Sequence, residues 1–578
     1  MGLGILEDTK LDHVPGTTYV LEDQTSPSDP ATIDPNLRYD RSGPVPIILV
    51  PQPSDDPNDP LNWPLWKRDV ILGVLSLVAV VCASASSLLA ANTVRISIYF
   101  RRNFTKTALL TGYHLCGVGV AGLLCVPTAR IWGKRHLFIL GTIFVMFSSA
   151  WGGSCRKIIA EGRDDYVSLL WARIFQGIGL APFEALVNAA VGDLYFVHER
   201  GKRMALSNVA VFGGAFLTPV IVGKLTSTMG WMWSFYLLAI FSGAGVLLII
   251  FFVPETTYRR ATHLNTDYEG DAERRNLPSN AANEGPASAT HSSEQERSEL
   301  DKEKPQPPST DGDVAATEAQ NAQPRKASYW QSLKPFNGRK TDEKFLKLLL
   351  RPFPLFLYPS ILWACLVQGV LIGWTVFIGV VLAVVFMTPP LWFSEVETGY
   401  TYAGAFIGAI IGLVLSGLLS DWSAKVMIRW NKGKYEPEFR IVLVFPQLLF
   451  SSIGMYGLAW FAADVWRYRW LPSVIMFAFV LIGMVMGAVA SALYVVDAHR
   501  QIAVEAFTCL LVFKNIFSFV MTYFAYDWLV AAGPRTVFLV IASIQVGVCL
   551  LSVPMYIFGK RNRSFCHRHD ILKKLHLW

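Results

Sequence analysis

Charge is scarce in this sequence. Asp, Glu, Lys and Arg make up 16% of its 578 residues, while hydrophobic residues make up 52%. An average soluble domain carries about 25% charge, so too little polar surface is present to cover a soluble fold, and a polytopic membrane protein is expected. Cysteine is scarce too. The eight cysteines fall mostly inside apolar runs and none is spaced CxxC. That argues against a disulfide framework or a thiolate metal site and suits small apolar side chains in packed helices. Also missing are a phosphate loop, a cluster of metal-ligating residues and a nucleophile elbow. ATP as energy source, a metal, a cofactor and an enzymatic reaction are therefore not expected. The net charge of +7 does not point to nucleic acid, because membrane proteins retain basic residues on cytoplasmic loops. The first residues lack an apolar core, so no cleavable signal peptide is expected; the first membrane helix should serve as insertion signal.

What the chain has is long apolar runs. Stretches of spanning length lie near 70–91, 108–129, 137–154, 166–190, 205–225 and 231–253, then near 355–388, 399–420, 440–462, 470–494, 502–530 and 534–557. The expected fold is an all-α membrane protein with twelve transmembrane helices in two six-helix, pseudo-symmetric bundles. Residues 1–68 form an N-terminal tail whose end, with Trp63, Trp66, Lys67 and Arg68, suits a membrane interface. Residues 69–253 and 353–558 form the bundles. The central loop, 254–352, is poor in large apolar residues over 262–328 and is expected to be disordered there. Residues 559–578 are a C-terminal tail. Even helix counts put both tails and the loop on one face, and the bias of Lys and Arg makes that face cytoplasmic. The cell membrane is the expected location. Asn103-Phe104-Thr105 is a glycosylation sequon in the first outside loop.

One apolar run carries two charges. Arg173 and Glu184 are eleven residues apart in the fourth helix, which returns them to nearly the same face, roughly 16 Å apart along the axis. Asn188 lies close to that face. A charge in a bilayer costs about 2.5 kcal/mol or more and normally faces a bundle interior or a wet cavity. A carboxyl taken out of water takes up a proton more readily, so Glu184 is the expected proton carrier. Arg173 would bias it or bind an anion. Lys514 lies roughly 18 Å along the eleventh helix, too deep to snorkel easily, and with Asn515 is expected to face the cavity. Glu505 lies on the opposite face at that helix's cytoplasmic end. Tyr113, His114, Gln368 and Trp374 are candidate polar or aromatic lining, with packing as the plainer alternative. Asp497, ending the tenth helix, is read as an intracellular gate contact.

Two loops look like copies of one element: VPTARIWGKRH, Val126 to His136, and GLLSDWSAK, Gly417 to Lys425, which set Arg130 against Asp421. A small residue there lets helices approach, and an acid at a helix end can latch onto bases. These loops resemble the signature loop of the major facilitator superfamily. The second keeps Gly417 and Asp421, with Trp422 where Arg is usual. The first keeps Gly133, Lys134 and Arg135 but has Arg130 in place of the Asp. RIFQGIG, Arg173 to Gly179, is similar to the fourth-helix motif of drug:proton antiporters, whose Arg is tied to proton coupling, and Gln176 within it is assigned to the substrate cavity. GGAFLTPVIVG, Gly213 to Gly223, resembles their fifth-helix motif through Gly214, Pro219 and Gly223, with Thr218 replacing a Gly. DPNDPLNWPLWKRD, GDLYFVHERGKR, PETTYRR and YVVDAHR are similar to the fungal drug:proton antiporter-like (DHA1) branch.

The resemblance implies a proton-coupled efflux pump for small organic molecules (drugs, toxins or secondary metabolites), acting as a monomer in the bilayer. Two alternatives stand beside it: proton-coupled uptake of polyamines or other organic cations, and a non-transporting membrane sensor.

Overall fold

The structure, a computed structural model, describes residues 51–158, 163–260, 326–431 except 335 and 337, 434–499 and 502–577, with short pieces of the first fifty. The expected disorder at 262–328 and Arg500 of YVVDAHR lie almost wholly outside these residues.

The first six long helices are α1 (Leu65–Ser87), α2 (Phe104–Trp132), α3 (Arg135–Ser154), α4 (Tyr166–Leu194), α5 (Val197–Met229) and α6 (Trp231–Phe252). After the central loop come α7 (Pro359–Met387), α8 (Glu395–Trp430), α9 (Val444–Phe461) and α10 (Leu471–Ala498). The last apolar stretch, Ala503–Lys574, is 72 residues long, far more than the roughly 20 that one crossing needs. Its backbone leaves helical geometry at Gly533 (φ 74°, ψ 157°), just before Pro534. Proline lacks the N–H that would continue the ladder, and the positive φ suits a residue without Cβ. Two helices meet there, α11 (503–532) and α12 (534–568). The α11 part lies against α2, with Asn515 beside Gly119. The α12 part lies against α9, where Tyr456 and Ser543 hydroxyls are 3.1 Å apart. The fold is thus all-α, six helices on each side of a long connection.

Each half has its own core. One apolar cluster is drawn from Ile71 to Val253. A second runs from Val370 to Ala542, and Ala90, Phe212, Phe216 and Val220 of the first half pack on it. Glycines set the closest crossings, as expected where small residues replace a hydrophobic driving force between helices. Within the first half, a Cβ on Gly177 would fall 2.0 Å from the His114 carbonyl oxygen, and one on Gly117 would fall 2.5 Å from that of Ile174. The halves meet along two seams. In the α2–α11 seam, a Cβ on Gly122 would come 2.0 Å from Leu511. In the α5–α8 seam, a Cβ on Gly223 would come 2.5 Å from the Glu395 carbonyl oxygen and one on Gly399 would come 2.5 Å from that of Pro219. Of the fifth-helix motif, Pro219 and Gly223 therefore belong to the seam, whereas Gly214 faces the Val80 carbonyl of α1 inside the first half. Gly417 was expected to allow close approach but has open space around it; Gly404, Gly408 and Gly412, on the same helix, are the ones pressed against α10.

The first residues pack onto the same face as the central loop and C-terminus, called the tail face below. Ile5 is buried against Met427 and Phe439. Thr18–Tyr19 pairs antiparallel with Lys434–Tyr435. Thr17 donates to Glu436 at 2.7 Å, and Glu436 also receives Lys560 at 3.0 Å and Arg563 at 2.9 Å. Burial alone would raise the Glu436 pKa; the Thr17 hydroxyl and the two cations outweigh it and hold the carboxyl below its usual range. These contacts are to the second half, whereas Asp56 and Asp59 bind Tyr258 at 2.8 Å and Arg260 at 2.7 Å beside the first half. The last helix continues to Arg568, so Lys560 and Arg563, expected in a tail, sit on a helix.

Gly177→Val should lower the midpoint of thermal unfolding in detergent, because overpacking costs about 1–3 kcal/mol. Gly417→Ala should leave the midpoint unchanged or raise it slightly, since the added methyl meets nothing and Ala favours a helix by about 1 kcal/mol.

Candidate functional site

α4 supplies both charges of the expected site, but they serve different places. Arg173 is fully buried inside the first half. Its Nη1 donates to the Ala85 carbonyl at 2.6 Å and to Gln176 Oε1 at 2.7 Å, its Nε to Leu110 at 3.3 Å, and its Nη2 to Ser86 at 3.4 Å. Ala85 and Ser86 are in the last turn of α1, where carbonyls lack helical partners and carry the negative end of the helix dipole. A buried cation is thereby balanced without a carboxylate. Gln176 passes the network on, donating to Ser149 of α3 at 2.8 Å. His114 donates through Nδ1 to the Arg173 carbonyl at 3.3 Å. Arg173 and Gln176, expected to face proton and substrate, are instead enclosed where α1, α2, α3 and α4 meet.

Glu184 points the other way, across the α2–α11 seam. Its Oε2 lies 2.9 Å from Lys514 Nζ and 3.3 Å from Asn515 Nδ2. The Glu184 and Lys514 side chains keep 13% and 20% exposure, so neither is sealed from small solutes. Glu184 is ten residues from the tail-side end of α4 and Lys514 eleven from that of α11, roughly 15–17 Å in both cases. The two halves thus bring one charge each, of opposite sign, to one depth. Asn515 also donates to Leu511 at 3.0 Å, which holds its amide toward the seam. Asn188 hydrogen-bonds Asn208 and Ser207 of α5 at 3.1 and 2.7 Å.

The other proposed lining residues scatter. Tyr113 packs against Phe519 of α11 with tilted rings, centroids 5.5 Å apart, in the seam. Trp374 is buried against Phe377 and Phe517, inside the second half. Gln368 accepts from Ser491 at 3.1 Å. It lies in a π-helical turn, Cys365–Val370, and such turns recur at functional sites. Next to it, a Cβ on Gly369 would sit 2.4 Å from Phe513 and 3.4 Å from the Lys514 Cα. The turn therefore brings α7 against the lysine's backbone.

The loop residues also divide. Arg130 crosses the seam at the tail face to Glu505 at 2.8 Å, and Arg351, before α7, approaches the same carboxylate at 3.5 Å and pairs with Glu343. Gly133 has φ +95°, and Glu255 of PETTYRR fills the space a Cβ would need. Glu255 accepts from the Lys134 and Arg135 amides at 3.0 and 3.1 Å, a carboxylate on the N-terminus of α3. Arg135 donates to the Ile250 carbonyl at 2.8 Å. Gly133 and Arg135 thus tie the first half to itself. Asp421, expected to latch the second half, is exposed, and no ion-pair partner lies within reach among the described residues. Asp497 binds Arg440 at 3.2 Å and the Tyr435 hydroxyl, a tie within the second half rather than between halves. Asn103 is exposed at the N-cap position of α2, where its side chain makes no capping hydrogen bond, and Thr105 of its sequon donates to Asp527 of α11 at 3.0 Å. Nearby, Arg95 reaches Glu395 of α8 at 3.2 Å. The sequence reading missed Glu505, Arg351 and Glu395 as partners. The equal depth of Glu184 and Lys514 was a signal available for their pairing. Among the described residues no group of three or more His, Cys, Asp or Glu is placed to hold a metal.

The family model described as Major Facilitator Superfamily matches residues 74–501. The chain belongs to the major facilitator superfamily. Among the relatives of this superfamily member, Protein HOL1 of Saccharomyces cerevisiae is 25% identical over 585 residues, covering 96% of each chain. MFS transporter cpaT of Aspergillus oryzae is 25% identical over 511 residues, 88% of this chain and 90% of that one. Efflux pump radE of Floropilus chiversii is 23% identical over 568 residues, 96% and 90%. The crystal structure of a D-xylose-proton symporter superposes with a TM-score of 0.54 at 14% identity, covering 86% of this chain and 99% of that one, a likeness of fold. The chain is a multi-pass membrane transporter of this superfamily.

If Glu184 and Lys514 hold each other, Lys514→Glu should lower the thermal midpoint by setting two carboxylates together. Adding Glu184→Lys should recover much of the loss, with a coupling of about 0.5–3 kcal/mol in a double-mutant cycle.

Proposed function

We propose that this transporter exchanges protons for small organic molecules, moving them outward across the cell membrane, with both tails cytoplasmic and the DHA1-like branch as its place in the superfamily. The Glu184–Lys514 pair carries this reading. A carboxylate paired across the seam at mid-depth can be released in two ways. A proton on Glu184 removes its charge and frees Lys514. A polar or charged solute that displaces either partner does the same work without the proton. Proton and solute then compete for one site, which is the requirement of antiport.

Arg173 has a supporting part here. Bound to the end of α1 by backbone carbonyls, it fixes the helix that lies beside α4 and leaves Glu184 as the group that carries the proton. Arg130–Glu505 closes the α2–α11 seam at the cytoplasmic end and Thr105–Asp527 closes it at the other, where Arg95–Glu395 also ties the first half to α8, so alternating access would break one set while keeping the other. Uptake is the second reading, since the same pair would serve a solute that travels with the proton. A non-transporting sensor would bind a solute without moving it.

The test is transport in proteoliposomes, with solutes first chosen by screening toxic compounds and polyamines against deletion and overexpression strains. Export predicts that an inward-directed proton gradient drives solute out, and that Glu184→Gln lowers gradient-driven flux at least tenfold while solute binding persists. Uptake would show the opposite solute direction. Unchanged flux and unchanged pH dependence in Glu184→Gln would remove that residue from the mechanism.

A further inference from the structure

The segment that follows the central loop has features the transport site does not use. Residues 326–347 hold six basic residues and two acids. Both acids are already paired, Asp342 with Arg259 at 2.7 Å and Glu343 with Arg351. Lys326, Lys334, Lys340 and Lys344 have no carboxylate partner among the described residues. Between them, Trp330 is 71% exposed and Phe336 is 58% exposed. Soluble surfaces do not usually leave such rings bare amid lysines.

The segment is fixed to the tail-side ends of three spanning helices. The Tyr329 hydroxyl donates to the carbonyl of Phe251, one residue from the end of α6, at 2.6 Å. Phe336 stacks on His136 in the first turn of α3, with ring centroids 5.0 Å apart. The Lys340 amide donates to the Ile131 carbonyl at the end of α2 at 2.7 Å. Of the spanning helices, α6 is the most open, with 28% of its apolar stretch buried inside the protein, so its outer surface faces lipid. A tryptophan beside its last turn is held where hydrocarbon gives way to headgroups, the level that Trp and Tyr favour.

We propose that residues 326–347 form a basic-aromatic strap that docks on anionic lipid headgroups. The lysines meet the phosphate or carboxylate groups of the leaflet, and Trp330 and Phe336 enter the interface. Each basic residue close to an anionic surface strengthens such attraction by roughly fivefold. Anionic lipid is concentrated in the cytoplasmic leaflet, so the strap's working place rests on the orientation proposed above, while its chemistry does not. Because the strap is hydrogen-bonded to the first half and continues through Arg351 to the second, lipid binding there would bear on both.

The experiment uses the full chain with Trp330→Cys, carrying a nitroxide label, in nanodiscs. The native cysteines are buried or half-buried, so the new thiol reacts first. Discs of phosphatidylcholine alone are compared with discs containing phosphatidylserine in both leaflets, which makes the result independent of orientation. The expected result is a severalfold rise in the label's accessibility to oxygen relative to a water-soluble nickel quencher when phosphatidylserine is present. Replacing Lys326, Lys334, Lys340 and Lys344 by Gln should abolish that rise; none of these side chains makes a hydrogen bond among the described residues, so the fold should stand, as thermal unfolding would check. A label that stays accessible to water in both lipids overturns the proposal and leaves the face to a soluble acidic partner. Immersion that ignores phosphatidylserine, or survives loss of the lysines, overturns it as well.

Discussion

A carboxylate and an ammonium, one from each half, meet 2.9 Å apart in the middle of an apolar helix bundle. Neither can be left alone there, because an isolated charge away from water costs several kcal/mol. Each half alone would expose an unpaired charge at that depth, so the pair makes the two bundles depend on one another. The α2–α11 seam carries further charged or polar ties at both ends, Arg130–Glu505 and Thr105–Asp527. Polar contacts thus bridge α2 and α11 at both ends, the Glu184–Lys514 pair joins α4 to α11 between them, and the α2 and α11 backbones approach through glycine. An interface of this kind has alternatives that differ by which ties are made, not by a continuous stretch.

Arg173 illustrates the opposite solution to the same cost. It gains no acid. Carbonyls from the end of α1 surround it, and these are dipoles fixed by a helix that would otherwise lack donors at its end. A cation held so firmly is a poor candidate for a group that must change state during transport. Glu184, partly exposed, is instead paired with a lysine from the other half. The contrast between two charges on one helix follows from what lies opposite each, not from their own positions.

Much of the fold was legible in the sequence. Twelve apolar runs and a polar interruption after the sixth are a direct consequence of bilayer thickness, and only helices can satisfy their backbone there. The charges in the membrane were legible for the same reason. Their partners were not. Helical periodicity set Arg173 and Glu184 on nearly one face, yet over eleven residues a small rotation decides whether a side chain enters its own bundle or crosses to the other. Asp421 is a matching case: the repeated loop pattern suggested a latch, but the pattern says nothing about whether a base lies across from it. The docking of Ile5, Thr17 and Thr18 on the second half was also hidden, since a short polar tail has no period and its anchors, Met427, Phe439 and Glu436, lie over 400 residues away.

The sequence by itself determined that this chain lives in a bilayer, that its apolar runs fall on either side of a polar interruption, and that a few buried charges must be satisfied, because transfer free energy acts residue by residue. Only the tertiary structure decided that Glu184 answers to Lys514, Arg173 to the end of α1, and Arg130 to Glu505. Those pairings depend on where helices far apart in the chain come within 3 Å or so of each other. That distance is set by the packing of glycines and side chains across a seam, which no single segment contains.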